Sequence, residues 1–175
     1  MNLVMNSKNY VELPDIYNKL ILGNFNYSIY KNSNTFHKTI IINLCERKFQ
    51  SNNKNIVVYN LQLDDSFHQP YSYFKKIMIR CTKIMHFAKT NNYSIIVNCA
   101  AGINRSCSAI VTFAISVGIP IETIVNYIKK RKENKYGQNW TTLTNPLFVY
   151  YLKQLEKEKK DWCQHLFCNK TCHIK

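Results

Sequence analysis

Helical periodicity is strongest between residues 70 and 90. There Phe74, Ile77, Met78, Cys81, Ile84, Met85 and Ala88 recur at steps of three and four, with Lys75, Lys76, Arg80 and Lys83 between them. That spacing predicts one long amphipathic helix with a single apolar face. Ser94, Ile95, Ile96 and Val97 then form a short β-branched run, which reads as a buried strand. From Arg105 onward the chain is apolar on all sides as far as Val117, a pattern for a buried helix, and Gly118 is a natural stop for it. Pro120 is placed to begin another helix, whose apolar face would be Ile121, Ile124, Val125 and Ile128.

Between the strand and the buried helix lie Asn98, Cys99, Ala100, Ala101, Gly102, Ile103, Asn104, Arg105 and Ser106. A strand, a tight loop of small residues and a helix, in that order, build an anion cradle. The loop amides and the helix N-terminus converge on one point, where the helix dipole favours negative charge. Ala100, Ala101, Gly102, Ile103 and Asn104 would supply the amides, and Arg105 would add a guanidinium. Gly102 permits close backbone approach and a left-handed turn. Asn104 is suited to bracing such a loop through side-chain to backbone hydrogen bonds.

Cys99 opens the loop. A thiol attacks only as its thiolate, and the ordinary thiol pKa of about 8.5 falls to roughly 3.5–7.5 near a helix N-terminus or a cation. A phosphate in the loop would meet Arg105 through two parallel charge-assisted hydrogen bonds, a geometry lysine cannot copy. Charge spreading onto the equatorial oxygens during attack at phosphorus would face donors already in position. A buried structural thiol is the plainer reading of Cys99, and the strand before, the glycine within and the helix after weigh against it.

Cys-x5-Arg in this setting is similar to the signature of the cysteine-dependent protein tyrosine phosphatases, and the chain resembles their compact dual-specificity branch. The resemblance covers residues 10–156. Leu20 to Asn24 resembles a strand ending in a Gly-Asn turn before a short helix, and 39–44 and 56–61 resemble the next two strands. Thr144, Asn145, Pro146 and the run to Leu155 are similar to the closing helix. The resemblance implies that Ser106 hydrogen-bonds the Cys99 sulfur and eases its departure from a phosphoenzyme. It also implies hydrolysis of phosphotyrosine and phosphoserine/threonine on proteins, with no metal or cofactor. The chain lacks the length of the segments that deepen the slot of tyrosine-only relatives. Asn98 departs from the pattern, standing where the family carries a histidine that orients the loop.

The family's general acid is an aspartate on a loop before the long helix. Asp64 and Asp65 follow Leu61, Gln62 and Leu63, and counting back from Tyr73 and Phe74 matches Asp64 to that acid. Asp65 stays open as the alternative. Both also suit ordinary loop positions or caps for the helix near Pro70.

Composition refines the picture. At 175 residues the chain is expected to form one domain with a single core, 1–158, followed by a basic Cys/His-containing tail, 159–175. The fold expected is α/β: a central, mostly parallel twisted sheet flanked by helices, with the catalytic loop at the carboxyl end of its strand. No run of 18 apolar residues suggests a membrane span, the first residues are too short and polar for a signal peptide, and Asn2 is not a myristoylated glycine. An odd count of 7 cysteines with no export signal favours a reducing, cytoplasmic setting. Heavy use of Asn, Lys, Ile and Tyr suggests an AT-rich genome and, among phosphatases this short, a large DNA virus of the poxvirus kind.

Cys163, His165, Cys168, Cys172 and His173 are donors enough for zinc, yet their spacing fits no known module, so a solvated tail is favoured over a metal site. The net charge of +14 attracts nucleic acid, anionic membranes and acidic protein substrates alike. The cluster Lys129, Lys130, Arg131 and Lys132 reads by default as a solvated helix end. An RNA 5′-triphosphatase is the second enzyme reading, because its cysteine-loop members often carry Asn before the Arg, as Asn104 does here. A phosphoinositide phosphatase fits less well, since the loop interior lacks lysine. A non-catalytic phosphoprotein-binding module has only Asn98 in its favour.

Overall fold

A computed structural model describes residues 10–33, 37–137, 140–164 and 166. Five strands form one sheet: β1 (Tyr10–Glu12), β2 (Leu20–Asn24), β3 (Thr39–Asn43), β4 (Ile56–Asn60) and β5 (Ser94–Cys99). Their order is β1-β2-β5-β3-β4; β1 runs antiparallel to β2 and the other pairs are parallel. The chain is thus α/β with a mostly parallel sheet, and β5, which leads into the phosphate loop, is its middle strand. Ligand sites of such sheets lie beyond the carboxyl ends of the strands.

The helices are α1 (Phe25–Ser33), α2 (Tyr71–Thr90), α3 (Arg105–Ser116), α4 (Ile121–Tyr136), α5 (Pro146–Lys157) and α6 (Lys159–Cys163). One sheet face, with Leu20, Leu22, Ile40, Ile42, Ile95 and Val97, joins the large core formed with α2 to α5. The other face, with Ile41, Ile56 and Ile96, is covered by Tyr27 of α1. Burial on both faces is why β3 and β5 read as continuous apolar runs without alternation.

Helix α3 buries every residue from Ser106 to Ser116. Two of its hydroxyls are satisfied by carbonyls one turn back: Ser108 donates to the Asn104 carbonyl at 2.9 Å and Thr112 to the Ser108 carbonyl at 2.9 Å. Gly118 takes a φ of +94° just past its end, the left-handed conformation expected of a glycine stop.

Three details differ from the sequence reading. An additional edge strand, β1, precedes β2; three residues are too few for a periodic signal. Helix α4 begins at Ile121, with Pro120 as its N-cap, and continues through Tyr136. Lys129 to Lys132 therefore lie inside it, and Lys132 is 3% exposed, so the solvated-end reading fails for that residue. Residues 159–163, the start of the segment read as a tail, form α6, whose Trp162 is buried and donates from Nε1 to the Leu155 carbonyl at 2.8 Å. His165, Cys168, Cys172 and His173 lie outside the described residues. Among the described residues no helix is long and apolar enough to cross a membrane, and no cluster of three or more His, Cys, Asp or Glu is arranged for a metal ion.

Candidate active site

Cys99 is the last residue of β5, and Arg105 is the first of α3. The tight turn between them brings donors back onto the sulfur. The Gly102 amide donates to Cys99 Sγ at 3.2 Å, and Ser106 Oγ lies 3.1 Å from the same sulfur. Gly102 has a φ of +72°, and a Cβ there would stand 3.2 Å from the Gly23 carbonyl oxygen. Both the left-handed backbone and the close approach to β2 require glycine.

Arg105 is held from below by main-chain carbonyls. Its Nη1 donates to Leu63 O at 3.2 Å and meets Leu44 O at 3.5 Å, and its Nε lies 3.8 Å from Asp65 Oδ2. The guanidinium is thus fixed between the β3 end, the loop after β4 and α3.

Asn104 uses both ends of its amide. Its Oδ1 accepts from the Thr144 and Asn145 amides at 2.8 and 3.1 Å, while its Nδ2 donates to Asp65 Oδ2 at 3.3 Å. Asn145 does likewise: its Oδ1 caps α5 by accepting from Leu147 N at 3.0 Å, and its Nδ2 donates to Asp65 Oδ1 at 3.0 Å. Asp65 is therefore the hub joining the loop after β4, the loop between β5 and α3, and the α5 N-terminus.

Asp64 is different. Its amide donates to Gln69 Oε1 at 3.2 Å, but its side chain is exposed and no hydrogen bond or ion pair engages its carboxylate among the described residues.

Behind the loop, Lys132 Nζ donates to Gly102 O at 2.8 Å and Thr141 O at 3.1 Å. Cys107 Sγ also meets Gly102 O, at 3.4 Å. Burial pushes the Cys107 thiol up to about 11 despite the nearby Lys132 ammonium. Ile103 O accepts from Leu143 N at 3.1 Å, and Leu143 has a φ of +54°, a left-handed conformation uncommon outside glycine.

Asn98 is fully buried. It begins an asparagine ladder across three paired strands, in which Asn98 Nδ2 donates to Asn43 Oδ1 at 2.9 Å and Asn43 Nδ2 to Asn60 Oδ1 at 2.8 Å. Parallel register puts Asn43 opposite both Asn98 and Asn60. Asn98 Oδ1 has no partner among the described residues.

Cys99, Ala100 to Arg105 and Ser106 thus form one loop, with both aspartates of the 61–69 segment beside it on the chain that pins Arg105. Sequence reading missed Lys132, Asn145 and the ladder residues Asn43 and Asn60. Lys132 had a signal, since it falls four positions after Ile128 and continues the apolar stripe of α4.

Residues 20–145 match the family described as dual specificity phosphatase, catalytic domain. The match spans well over half of the chain, which belongs to that family and is a protein phosphatase. Solved structures with the same fold include DUSP15 (TM-score 0.70, 20% identity, 91% of this chain and 95% of that one). Human DUSP28 has a TM-score of 0.68 at 13% identity, covering 87% of this chain and 95% of its own. OH1 from the Orf virus, a tyrosine phosphatase described as having triple substrate specificity, has a TM-score of 0.63 at 18% identity, covering 80% of this chain and 83% of its own. A comparison with curated protein sequences finds no match.

Proposed function

We propose that this phosphatase hydrolyses phosphotyrosine and phosphoserine/threonine on proteins through a cysteinyl-phosphate intermediate. The observation that carries the reading is the paired contact on Cys99 Sγ, from the Gly102 amide at 3.2 Å and the Ser106 hydroxyl at 3.1 Å, on the loop that ends in Arg105. Two donors directed at a sulfur stabilise a thiolate as nucleophile and again as leaving group.

In the first step the Cys99 sulfur forms a bond to phosphorus and the ester P–O bond breaks. Loop amides from Ala100 to Asn104 and the Arg105 guanidinium hold the equatorial oxygens. Asp64 gives its proton to the departing oxygen, a role supported by its unengaged carboxyl and by the commitment of Asp65 to three neighbours. In the second step water attacks phosphorus, Asp64 takes a proton from it, and the P–S bond breaks with the Ser106 hydroxyl on the leaving sulfur. No metal or cofactor has a role in this sequence.

Asn104, the residue that favoured an RNA 5′-triphosphatase, engages Thr144, Asn145 and Asp65, a bracing role compatible with either substrate, and the protein-phosphatase reading is supported by the family match. A viral origin rests on the composition, and a cytoplasmic setting on the cysteine usage.

Rapid denaturing quench at alkaline pH during turnover of a phosphotyrosyl peptide, followed by mapping of the alkali-stable, acid-labile label, tests the mechanism. Phosphate on Cys99, with release of inorganic phosphate from both tyrosyl and threonyl peptides, is the expected result. Label on another residue, or turnover of triphosphate-ended RNA in preference to both peptides, refutes it.

A further inference from the structure

Beside the phosphate loop lies an open cavity of about 340 Å³, lined by Phe25, Cys45, Glu46, Arg47, Ala100 and Arg105. Two of these six belong to the loop itself, so whatever fills the cavity touches the catalytic cradle. Its outer wall is a second guanidinium. Arg47 lies over the Phe25 ring with its central carbon 5.4 Å from the centroid, and among the described residues no carboxylate pairs with it.

Arg47 is held by a built loop. Its carbonyl accepts from Asn43 Nδ2 at 2.8 Å. The ring beneath it meets Phe49 edge-on at 5.6 Å, and Phe49 is fixed through both backbone groups by Asn60, at 3.2 and 2.9 Å. The asparagine ladder that starts at Asn98 therefore ends by positioning this arginine. Such a planar cation on an aromatic face is pre-organised for a carboxylate or a phosphoryl group.

The charges lining the cavity decide the ligand's sign: Arg47 and Arg105 against Glu46 alone. The Cys45 thiol adds no negative charge near neutral pH, because burial pushes it up to about 11.

We propose that this cavity is a second anion subsite, which binds the carboxylate or phosphoryl group of a side chain flanking the phosphorylated residue. The proposal rests on the phosphatase reading above and narrows its substrates to phosphorylated segments with an acidic or second phosphorylated neighbour.

The test uses the Cys99→Ser protein and phosphotyrosyl peptides carrying Gln, Glu or phosphothreonine beside the phosphotyrosine, with dissociation constants read by fluorescence polarisation. The expected result is binding about 3- to 5-fold tighter for Glu than for Gln, the scale of one exposed ion pair, and a larger gain for the dianionic phosphothreonine. Adding Arg47→Gln should bring the three peptides together, and adding Glu46→Gln should widen their spread. Lys89→Gln, on the last turn of α2 at the far end of the sheet, should leave the spread intact.

Equal affinity for all three peptides overturns the subsite. A preference that survives Arg47→Gln overturns it as well. If Lys89→Gln erodes the preference as much as Arg47→Gln, the field of the +14 chain accounts for it and the subsite falls. Phosphothreonine favoured and Glu not would restrict the site to a second phosphoryl group. Turnover of a small aryl phosphate by the unmodified protein tests the catalytic reading separately, since that substrate carries nothing into the cavity.

Discussion

Asn145 Nδ2 reaches Asp65 Oδ1 at 3.0 Å across 80 positions of the chain. The other carboxylate oxygen accepts from Asn104 at 3.3 Å and faces Arg105 Nε at 3.8 Å. One carboxylate therefore holds three segments in register: the loop after β4, the phosphate loop and the start of α5. Asp65→Ala should loosen all three and lower kcat/KM by about 10-fold, the scale of losing a charge-assisted hydrogen bond. Because positioning is lost and no proton donor is, the loss should be the same for aryl and alkyl phosphates. A loss that grows with leaving-group pKa would make Asp65 the proton donor instead.

Cys99→Ser should abolish turnover while phosphate or vanadate still binds, since the amides and Arg105 remain. Isothermal titration on the variant checks the binding, and turnover above about 1% of the unmodified rate would exclude covalent catalysis through this sulfur. Arg105→Lys should lose most activity too. Leu63 O and Leu44 O, which hold Nη1 in place, cannot orient an ammonium in the same way.

Lys132→Met should destabilise the fold by about 1–3 kcal/mol, because the Thr141 carbonyl loses its ammonium donor and the buried Gly102 O keeps only the weak Cys107 contact. Urea unfolding measures this directly. An unchanged midpoint would mean the two carbonyls find other donors.

The lettering of the chain disclosed α2, α3, α4, the middle strand and the tight loop after it, since each rests on local pattern: period 3.6 in α2, a β-branched run in β5, a Cys-x5-Arg spacing; α6, five residues long, left no such pattern. Long-range polar pairings left no such trace. Asp65 and Asn145 sit 80 positions apart and Asn98 and Asn43 sit 55 apart, and nothing at either position marks the other. Lys132 was misread because composition assigns lysine to solvent; its stem continues the stripe of Ile124 and Ile128, and two carbonyls satisfy its ammonium.

His86 should make stability depend on pH. Its Nε2 lies 2.8 Å from Ser116 Oγ, whose own proton goes to the Phe113 carbonyl at 2.6 Å, so Nε2 carries the hydrogen. Burial, aided by Lys89, lowers the His86 pKa below the usual imidazole value. The folded state thus binds a proton less readily than the unfolded chain. The stability His86 contributes is present in full above about pH 6.5 and lost as pH falls from there through its depressed folded value. Unfolding midpoints between pH 7.5 and 5.5 should fall in the unmodified protein and fall less in His86→Gln. Parallel profiles would assign the dependence to other groups.

The proton donor can be located by leaving-group chemistry. Asp64 is exposed, with its amide on Gln69 and its carboxylate unengaged among the described residues, whereas Asp65 is tied to Asn104, Asn145 and Arg105. A group that gives up and regains a proton in each cycle must be able to move to the departing oxygen, which a carboxylate held by three neighbours cannot do. Asp64→Asn should therefore slow alkyl phosphates by roughly 10²-fold or more and an activated aryl phosphate far less. The basic limb of the pH–rate profile should flatten with it, because the proton that has to stay on the acid is gone. A Brønsted plot of rate against leaving-group pKa should steepen in Asp64→Asn and keep its slope in Asp65→Ala. If the slope changes in neither variant, protonation comes from outside the 61–69 loop and the assignment of Asp64 fails.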